Sequence, residues 1–272
     1  MPLLCVSSPK GGVGKTTLSA HIAAHLAARG HRVTALDLDP QNALRLHLGL
    51  PLSDEEGFFS DPPRPWREAL RETPSGVRLL PHGTLDPRKV IRLQAELLDA
   101  PERIAAPVRE LLRDPGQVVL VDCPPGPSAG PSALVPVADL LLVVLLADAG
   151  SAALLPQVAS GRILGHGTLS SRLSAKLAVV VNQVGLDSPL SKAVLDGASR
   201  ALGPRLIGAV ARDEALAEAL ADKRLLLDPT IGGAAEDLAM LADAVAQRLD
   251  LKPPGAAGAR GFSALADWGI TE

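Results

Sequence analysis

The 272-residue sequence has no tyrosine, two cysteines and two tryptophans, and its aromatic content is only 2%. Any core must therefore be assembled from Leu, Val, Ile and Ala, which the 47% hydrophobic content permits. Cys5 and Cys123 both fall in apolar strand-like runs, as buried reduced thiols do, and two cysteines make no metal set. A surplus of either charge is missing too. Lys and Arg number 27 against 30 Asp and Glu, a net charge of −3, which argues against a broad nucleic-acid-binding surface though not against a local patch. A basic N-terminal region followed by an apolar one, the mark of a signal peptide, is absent. The most apolar run, Leu134 to Ala147, is interrupted by Pro136 and Asp139. It is too short to span a bilayer and reads as a buried parallel strand. The expectation is a cytoplasmic globular protein.

What the chain does contain is an alternation of apolar runs with helical patterns. Strands are expected at Leu3–Ser7, Val33–Asp37, Val77–Leu80, Val118–Asp122, Leu140–Leu146, Leu177–Asn182 and Leu206–Ala209. Most are unbroken Val/Leu runs, as strands covered on both faces are. Helices are expected at Lys15–Arg29, Asn42–Leu48, Arg88–Leu98, Glu102–Arg113, Ala152–Leu164, Lys192–Leu202, Asp213–Ala221 and Ala234–Leu249. This order implies an α/β fold of three layers around a mostly parallel, doubly wound sheet. Two stretches stand apart. Pro51–Ser75 carries Phe58, Phe59 and Trp66 amid prolines and charges, and is either an ordered insertion over the sheet or a partner surface. From Lys252 the composition changes to Pro253-Pro254-Gly255-Ala256-Ala257-Gly258, a linker, followed by Phe262, Leu265 and Trp268 at helical spacing. A domain of residues 1–251 and a flexible tail of residues 252–272 are expected. The tail is either frayed or a docking segment.

The most informative stretch is Ser8-Pro9-Lys10-Gly11-Gly12-Val13-Gly14-Lys15-Thr16-Thr17, between the first strand and the first helix. A strand, a glycine-rich turn, Lys-Thr and a helix make a phosphate-binding loop. The glycines let successive main-chain N–H groups face phosphate oxygens, and the helix N-terminus adds partial positive charge. Lys15 is placed to reach the β- and γ-phosphates and the Thr16 hydroxyl to ligate Mg²⁺. Further strand ends carry candidate groups. Asp37 and Asp39 stand at i and i+2, so they share a side, and an in-line water needs an acceptor such as Asp39 near the γ-phosphate. Asp122 ends the apolar strand Val118–Val121, a form suited to holding Mg²⁺ through water. His21 and His25 lie four apart without the glutamate a zinc-protease helix needs, and read as ordinary surface or packing residues.

The loop departs from the usual pattern at Pro9 and gains Lys10. The variant x-K-G-G-x-G-K-T-T resembles the deviant Walker A loop of the ParA/MinD family of dimeric ATPases. The resemblance implies a P-loop NTPase fold and bound ATP with Mg²⁺. Lys10 would cross to the phosphates of the other subunit, Asp39 would position the attacking water, and Thr16, Asp37 and Asp122 would hold the metal. The nucleotide would be held by Lys10, Gly11, Gly12, Val13, Gly14, Lys15, Thr16 and Thr17. Cys123-Pro124-Pro125-Gly126 resembles the family's switch segment. Asn182 corresponds to a base-binding Asn, although the arginine that usually follows is absent. Arg212 stands where relatives have proline. With Asp213 it is expected to frame the base or the dimer interface, unless Asp213 is simply an N-cap.

Narrower blocks resemble one branch of that family, BcsQ of bacterial cellulose-synthesis operons. They are Asn42-Ala43-Leu44-Arg45-Leu46, Trp66-Arg67-Glu68-Ala69, Leu79-Leu80-Pro81-His82-Gly83 and Arg212 through Lys223. The implied function is an ATP-dependent sandwich homodimer with weak Mg²⁺-dependent ATPase activity. It would support the cellulose synthase complex from the cytoplasmic face of the inner membrane. The implied partners are BcsR, BcsE and the synthase subunits, without nucleic acid and with only indirect membrane contact. Two alternatives remain: a ParA-like DNA-partition ATPase, and a non-hydrolysing ATP-bound scaffold.

Overall fold

Continuous Val/Leu segments form strands where helices can cover both of their faces, and this chain meets that condition along most of its length. The computed structural model describes residues 2–162 and 175–252. Eight strands form one sheet: β1 (Leu3–Ser7), β2 (Arg32–Asp37), β3 (Arg71–Glu72), β4 (Arg78–Leu80), β5 (Gln117–Asp122), β6 (Leu140–Leu146), β7 (Leu177–Val184) and β8 (Leu206–Ala211). Their order is β3-β4-β2-β5-β1-β6-β7-β8. Only the β3–β4 pair is antiparallel. The seven expected strands are present with ends shifted by at most two residues. β3 was not expected, because two residues carry no periodicity.

Alternate side chains feed two cores. Leu3 and Cys5 of β1, with Leu141 and Val143 of β6, join Leu93, Leu97, Ile104, Val108, Leu155 and Val158 on one face. Leu4, Val6, Leu142 and Val144 face Leu18, Ile22 and Leu26 of the first helix, α1 (Lys15–Ala28), and Leu238, Leu241 and Val245 of the helix Ala234–Arg248. The run Leu140–Leu146 is an almost wholly buried parallel strand, as its sequence implied. Asp139, which interrupts the run, accepts a hydrogen bond from Leu3 N at 2.8 Å. The two cysteines are free and buried. His21 and His25 are packing residues rather than surface ones, and burial lowers both imidazoles, His25 to about 4.

Two helices differ from expectation for local reasons. The helix expected at Asn42–Leu48 contracts to Leu44–His47, because Asn42 has φ of 50°, outside the helical region. The expected Ala152–Leu164 helix is two short ones, Ala149–Ala152 and Leu155–Ala159. Pro156 stands in the first turn of the second, where its missing N–H costs nothing. Its expected last residues, 163 and 164, lie outside the described residues, as does the tail from residue 253. No helix among the described residues is long and apolar enough to cross a membrane.

Pro51–Ser75 is the ordered insertion of the two alternatives. Phe59 is buried, and Phe58 and Trp66 pack against the same core. Phe58 N and Phe59 N donate to Pro81 O and His82 O at 2.9 and 2.8 Å, clasping the segment that follows β4. The clasp requires glycine at 57, where a Cβ would lie 2.3 Å from Gly83 N and 2.5 Å from Pro81 O. Gly57→Ala should therefore cost about 1–3 kcal/mol, read as a lower urea midpoint at unchanged m-value, since backbone on the far side cannot yield.

Candidate functional site

The carboxyl ends of β1, β2, β5 and β7 converge on the turn between Ser7 and Lys15. This turn takes its shape from Gly12 (φ 72°) and Gly14 (φ 83°), values that side-chain-bearing residues avoid. Gly14 also admits a close neighbour, since a Cβ there would stand 2.3 Å from Asn182 Nδ2. The N–H groups of Gly11 and Gly12 donate to nothing among the described residues. No side chain caps the start of α1. Unpaired donors on a tight turn and at a helix N-terminus are what an anion would engage.

Lys15 opens α1 and points inward, its side chain only 6% exposed. Its Nζ lies 3.2 Å from Asp122 Oδ1 and 3.9 Å from Asp39 Oδ2. Ser19, one turn further along α1, donates to Asp122 Oδ1 at 2.9 Å. The β2–β5 register sets Asp37 directly beside Asp122. Burial pushes Asp37 well above the ordinary carboxyl range, with the Asp122 charge adding to the push. Asp122 is also raised, by burial. The Lys15 charge and the Thr16 and Ser19 hydroxyls oppose that rise without cancelling it.

The two strand-end aspartates therefore differ in what they can offer. Asp37 accepts from Asp39 N at 2.9 Å and from Leu44 N at 3.1 Å, one bond on each oxygen. Its carboxyl thus shapes the turn after β2. Asp122 Oδ2 is buried with no hydrogen-bond partner. Asp39 accepts from Gln41 N at 3.0 Å and remains beside Lys15. No cluster of three or more His, Cys, Asp or Glu suited to a metal occurs among the described residues. A cation here fits the orphan oxygen of Asp122 and the adjacent Thr16 hydroxyl, with phosphate and water completing its shell.

The remaining expected residues divide. Val13 is buried, and its carbonyl accepts from Asn182 Nδ2 at 2.8 Å, so Asn182 braces the loop. Asn182 Oδ1 is buried without a partner, leaving one acceptor for a ligand such as a base amino group. Thr17 O accepts from His21 Nδ1, and His21 Nε2 in turn accepts from Leu226 N at 3.1 Å. Asp213 is the N-cap of the helix Glu214–Ala221, bonded to Ala215 N, and its other oxygen accepts from Ala234 N. The structure thus shows Asp213 in the capping role. Arg212 is exposed, and its side chain makes no hydrogen bond or ion pair with described residues. Lys10 pairs with Asp148 within the same chain at 3.0 Å. Both partners are about one-third or more exposed, so the pair is worth about 0–1 kcal/mol and releases easily. Gly126 N donates to Ser8 O at 2.9 Å, joining the switch-like segment to the start of the loop.

Sequence reasoning missed Ser19 and Asp148. Ser19 had a usable signal, lying four residues after Lys15 on the same helix face. Asp148 had none, because tertiary placement alone brings it to Lys10.

Comparison with known proteins agrees with this geometry. The family model described as cellulose biosynthesis protein BcsQ matches residues 1–245. The chain is 38% identical over 123 residues to the chromosome-partitioning ATPase Soj of Thermus thermophilus, covering 45% of each protein. It is 32% identical over 148 residues to an uncharacterised ATP-binding protein of Methanocaldococcus jannaschii, covering 52% of each. The chain thus spans about half the length of these curated relatives. Among solved structures it is similar to MinD from Pyrococcus horikoshii complexed with Mg-ADP (TM-score 0.70, 21% identity, 90% of this chain and 95% of that one). It is also similar to the ATP complex of a McdA variant from Cyanothece (TM-score 0.70, 21% identity, 93% and 97%). At these identities the structural likeness establishes the fold, a P-loop NTPase of the MinD type.

Lys15→Met tests the charge balance. It leaves Asp122 buried without its cation and should cost about 3–5 kcal/mol at pH 7. Asp122 is already raised by burial and rises further in the variant, so acid neutralises the orphaned carboxylate. The deficit relative to wild type should shrink as pH falls from 7 toward 4.5, measured by denaturant unfolding across that range.

Proposed function

The chain belongs to the cellulose biosynthesis protein BcsQ family, and from that premise we propose that it is a Mg²⁺-dependent ATP-binding switch serving the bacterial cellulose synthase complex. The observation that carries the reading is the buried Lys15–Asp122 pair at the end of a glycine turn whose N–H groups are free. Bound Mg²⁺ would supply charge neutralisation between the β- and γ-phosphate oxygens. Thr16 and Asp122 would hold it, the latter through water. Lys15 would exchange Asp122 for phosphate, and Asn182 Oδ1 would accept from the base. Asp39 would orient the attacking water. Arg212 stays in the proposal as an exposed residue at the rim, framing the base or the facing copy.

Lys10 gives the switch its direction. Released from Asp148, it would reach the phosphates held by a second copy, so that the triphosphate touches two chains in the dimer and one in the monomer. Only such a difference lets a ligand favour one state. The dimer would be a platform for BcsR, BcsE and synthase subunits in the cytoplasm, recruited indirectly to the inner-membrane face. Hydrolysis would be slow.

Sedimentation with Mg-ATP, with and without duplex DNA at low and physiological salt, tests this. Wild type should dimerise with ATP and ignore DNA. Binding to DNA that weakens steeply with salt would assign the chain instead to DNA partition, the function named for its Soj relative. Lys10→Ala should abolish the ATP-dependent dimer. Asp39→Ala should keep it and lower turnover at least tenfold, and an unchanged turnover would indicate a scaffold in which Asp39 positions no water.

A further inference from the structure

The two edges of the sheet are guarded differently. One edge is β3, only two residues long and made of Arg71 and Glu72. A short, charged strand offers little for another chain to pair with. The other edge is β8, six residues without a charge or a proline, paired to β7 alone. Five of its six residues keep partial exposure, whereas β7 is buried at every position but Gln183. Asp237 covers only the last residue of β8, accepting from Ala211 N at 2.8 Å. An uncharged edge strand of this length is a template for pairing, and proteins cover such edges.

A groove of about 350 Å³ runs along this edge, between Ile207–Ala209 of β8 and the stripe Met240, Ala244 and Gln247 of the helix Ala234–Arg248. Gly208 keeps its floor low, since a Cβ there would meet Leu241 Cδ1 at 3.3 Å. Met240 stands at its rim with 62% of its surface exposed. The lining holds two carboxylates, Asp237 and Asp243, and no basic side chain. The volume is at the low end for a ligand pocket and suits one aromatic side chain.

The course of the chain identifies the occupant. Gln247 lines the groove, and the described residues stop five positions later, at Lys252. Arg248, in between, donates to Pro204 O just before β8. Residues 253–259 then form a Pro/Gly/Ala spacer with a root-mean-square reach of about 15 Å. Met240 is two helical turns, about 10 Å, from Gln247. The spacer leads into Arg260-Gly261-Phe262, which sets the one basic residue after Lys252 beside the first aromatic. That pairing matches an apolar groove lined by carboxylates. A segment tethered at this distance has an effective concentration in the millimolar range, which a free partner must exceed to displace it.

We propose that the segment after Lys252 docks on its own domain, with Phe262 seated in the groove between β8 and the helix Ala234–Arg248, Arg260 against the groove carboxylates, and the open edge of β8 covered. The proposal does not depend on the nucleotide reading.

Disulfide trapping in the full chain tests it, with oxidised glutathione as oxidant. Gly261→Cys is paired with Met240→Cys, or, as a control, with Leu98→Cys. Leu98 is 69% exposed on the helix Pro87–Asp99, whose Leu93 and Leu97 pack on the opposite face of the sheet. Cys5 and Cys123 are buried and do not compete. The Met240→Cys pair should close within one chain about tenfold faster than the control pair, and adding Phe262→Ser should remove that advantage. In the otherwise native chain, Phe262→Ser should speed amide hydrogen exchange of β8 about threefold or more. Equal closure by the two pairs, closure indifferent to Phe262→Ser, or β8 exchange unchanged by that substitution would overturn the proposal. So would a disulfide that forms between chains in proportion to protein concentration, which would give the groove to a second copy.

Discussion

The ammonium of Lys15 stands against the carboxyls of Asp122 and Asp39, with Asp37 buried beside them. Withdrawing these charges from water is costly, and their mutual attraction does not fully repay it: Asp122 stays above the ordinary carboxyl range even with Lys15 in place. The surroundings supply part of the remainder. Ser19 donates to Asp122, and the turn after β2 directs two N–H groups at Asp37. The ends of β2 and β5 and the start of α1 are thereby fixed relative to one another by polar contacts. The apolar layers above and below set the sheet but not this local arrangement.

That arrangement is poised rather than satisfied. Asp122 keeps one oxygen without a partner, as Asn182 keeps its carbonyl oxygen and Asn42 its whole amide. Asp122 and Asn182 lie at strand ends beside one glycine loop, whose Gly11 and Gly12 N–H groups donate to nothing among the described residues. A fold that optimised only its own stability would have paired or replaced such groups. Their concentration at one end of the sheet fits a site completed by a highly charged ligand, and it locates the ligand at the carboxyl ends of the strands, where open α/β sheets bind.

The loop is also wired to distant parts of the chain. Asn182 of β7 braces Val13, and His21 of α1 links Thr17 to the segment at Leu226. Lys10 leans on Asp148 after β6, and Gly126 is tied to Ser8. These contacts reach the loop from the ends of β5, β6 and β7 and from the segment at Leu226. The Lys10–Asp148 pair is partly exposed and therefore weakly held.

The sequence by itself determined the strands, the main helices and the glycine loop after β1. Those features are local: unbroken Val/Leu runs, a glycine pattern and carboxylates at strand ends follow from neighbours a few residues away. Only the tertiary structure decided which carboxylate oxygens find partners. Asp37 and Asp122 look equivalent as strand-terminal aspartates. The turn that closes on Asp37 engages both of its oxygens, and no such turn follows Asp122. Asp213 could be read as cap or contact until Ala215 and Ala234 were seen to share its carboxyl. Lys10's partner, 138 residues away, and the unpaired amide of Asn42 were beyond any local pattern. Pairing and orphaning of polar groups depend on what packs around them, and in a doubly wound sheet those neighbours come from every part of the chain.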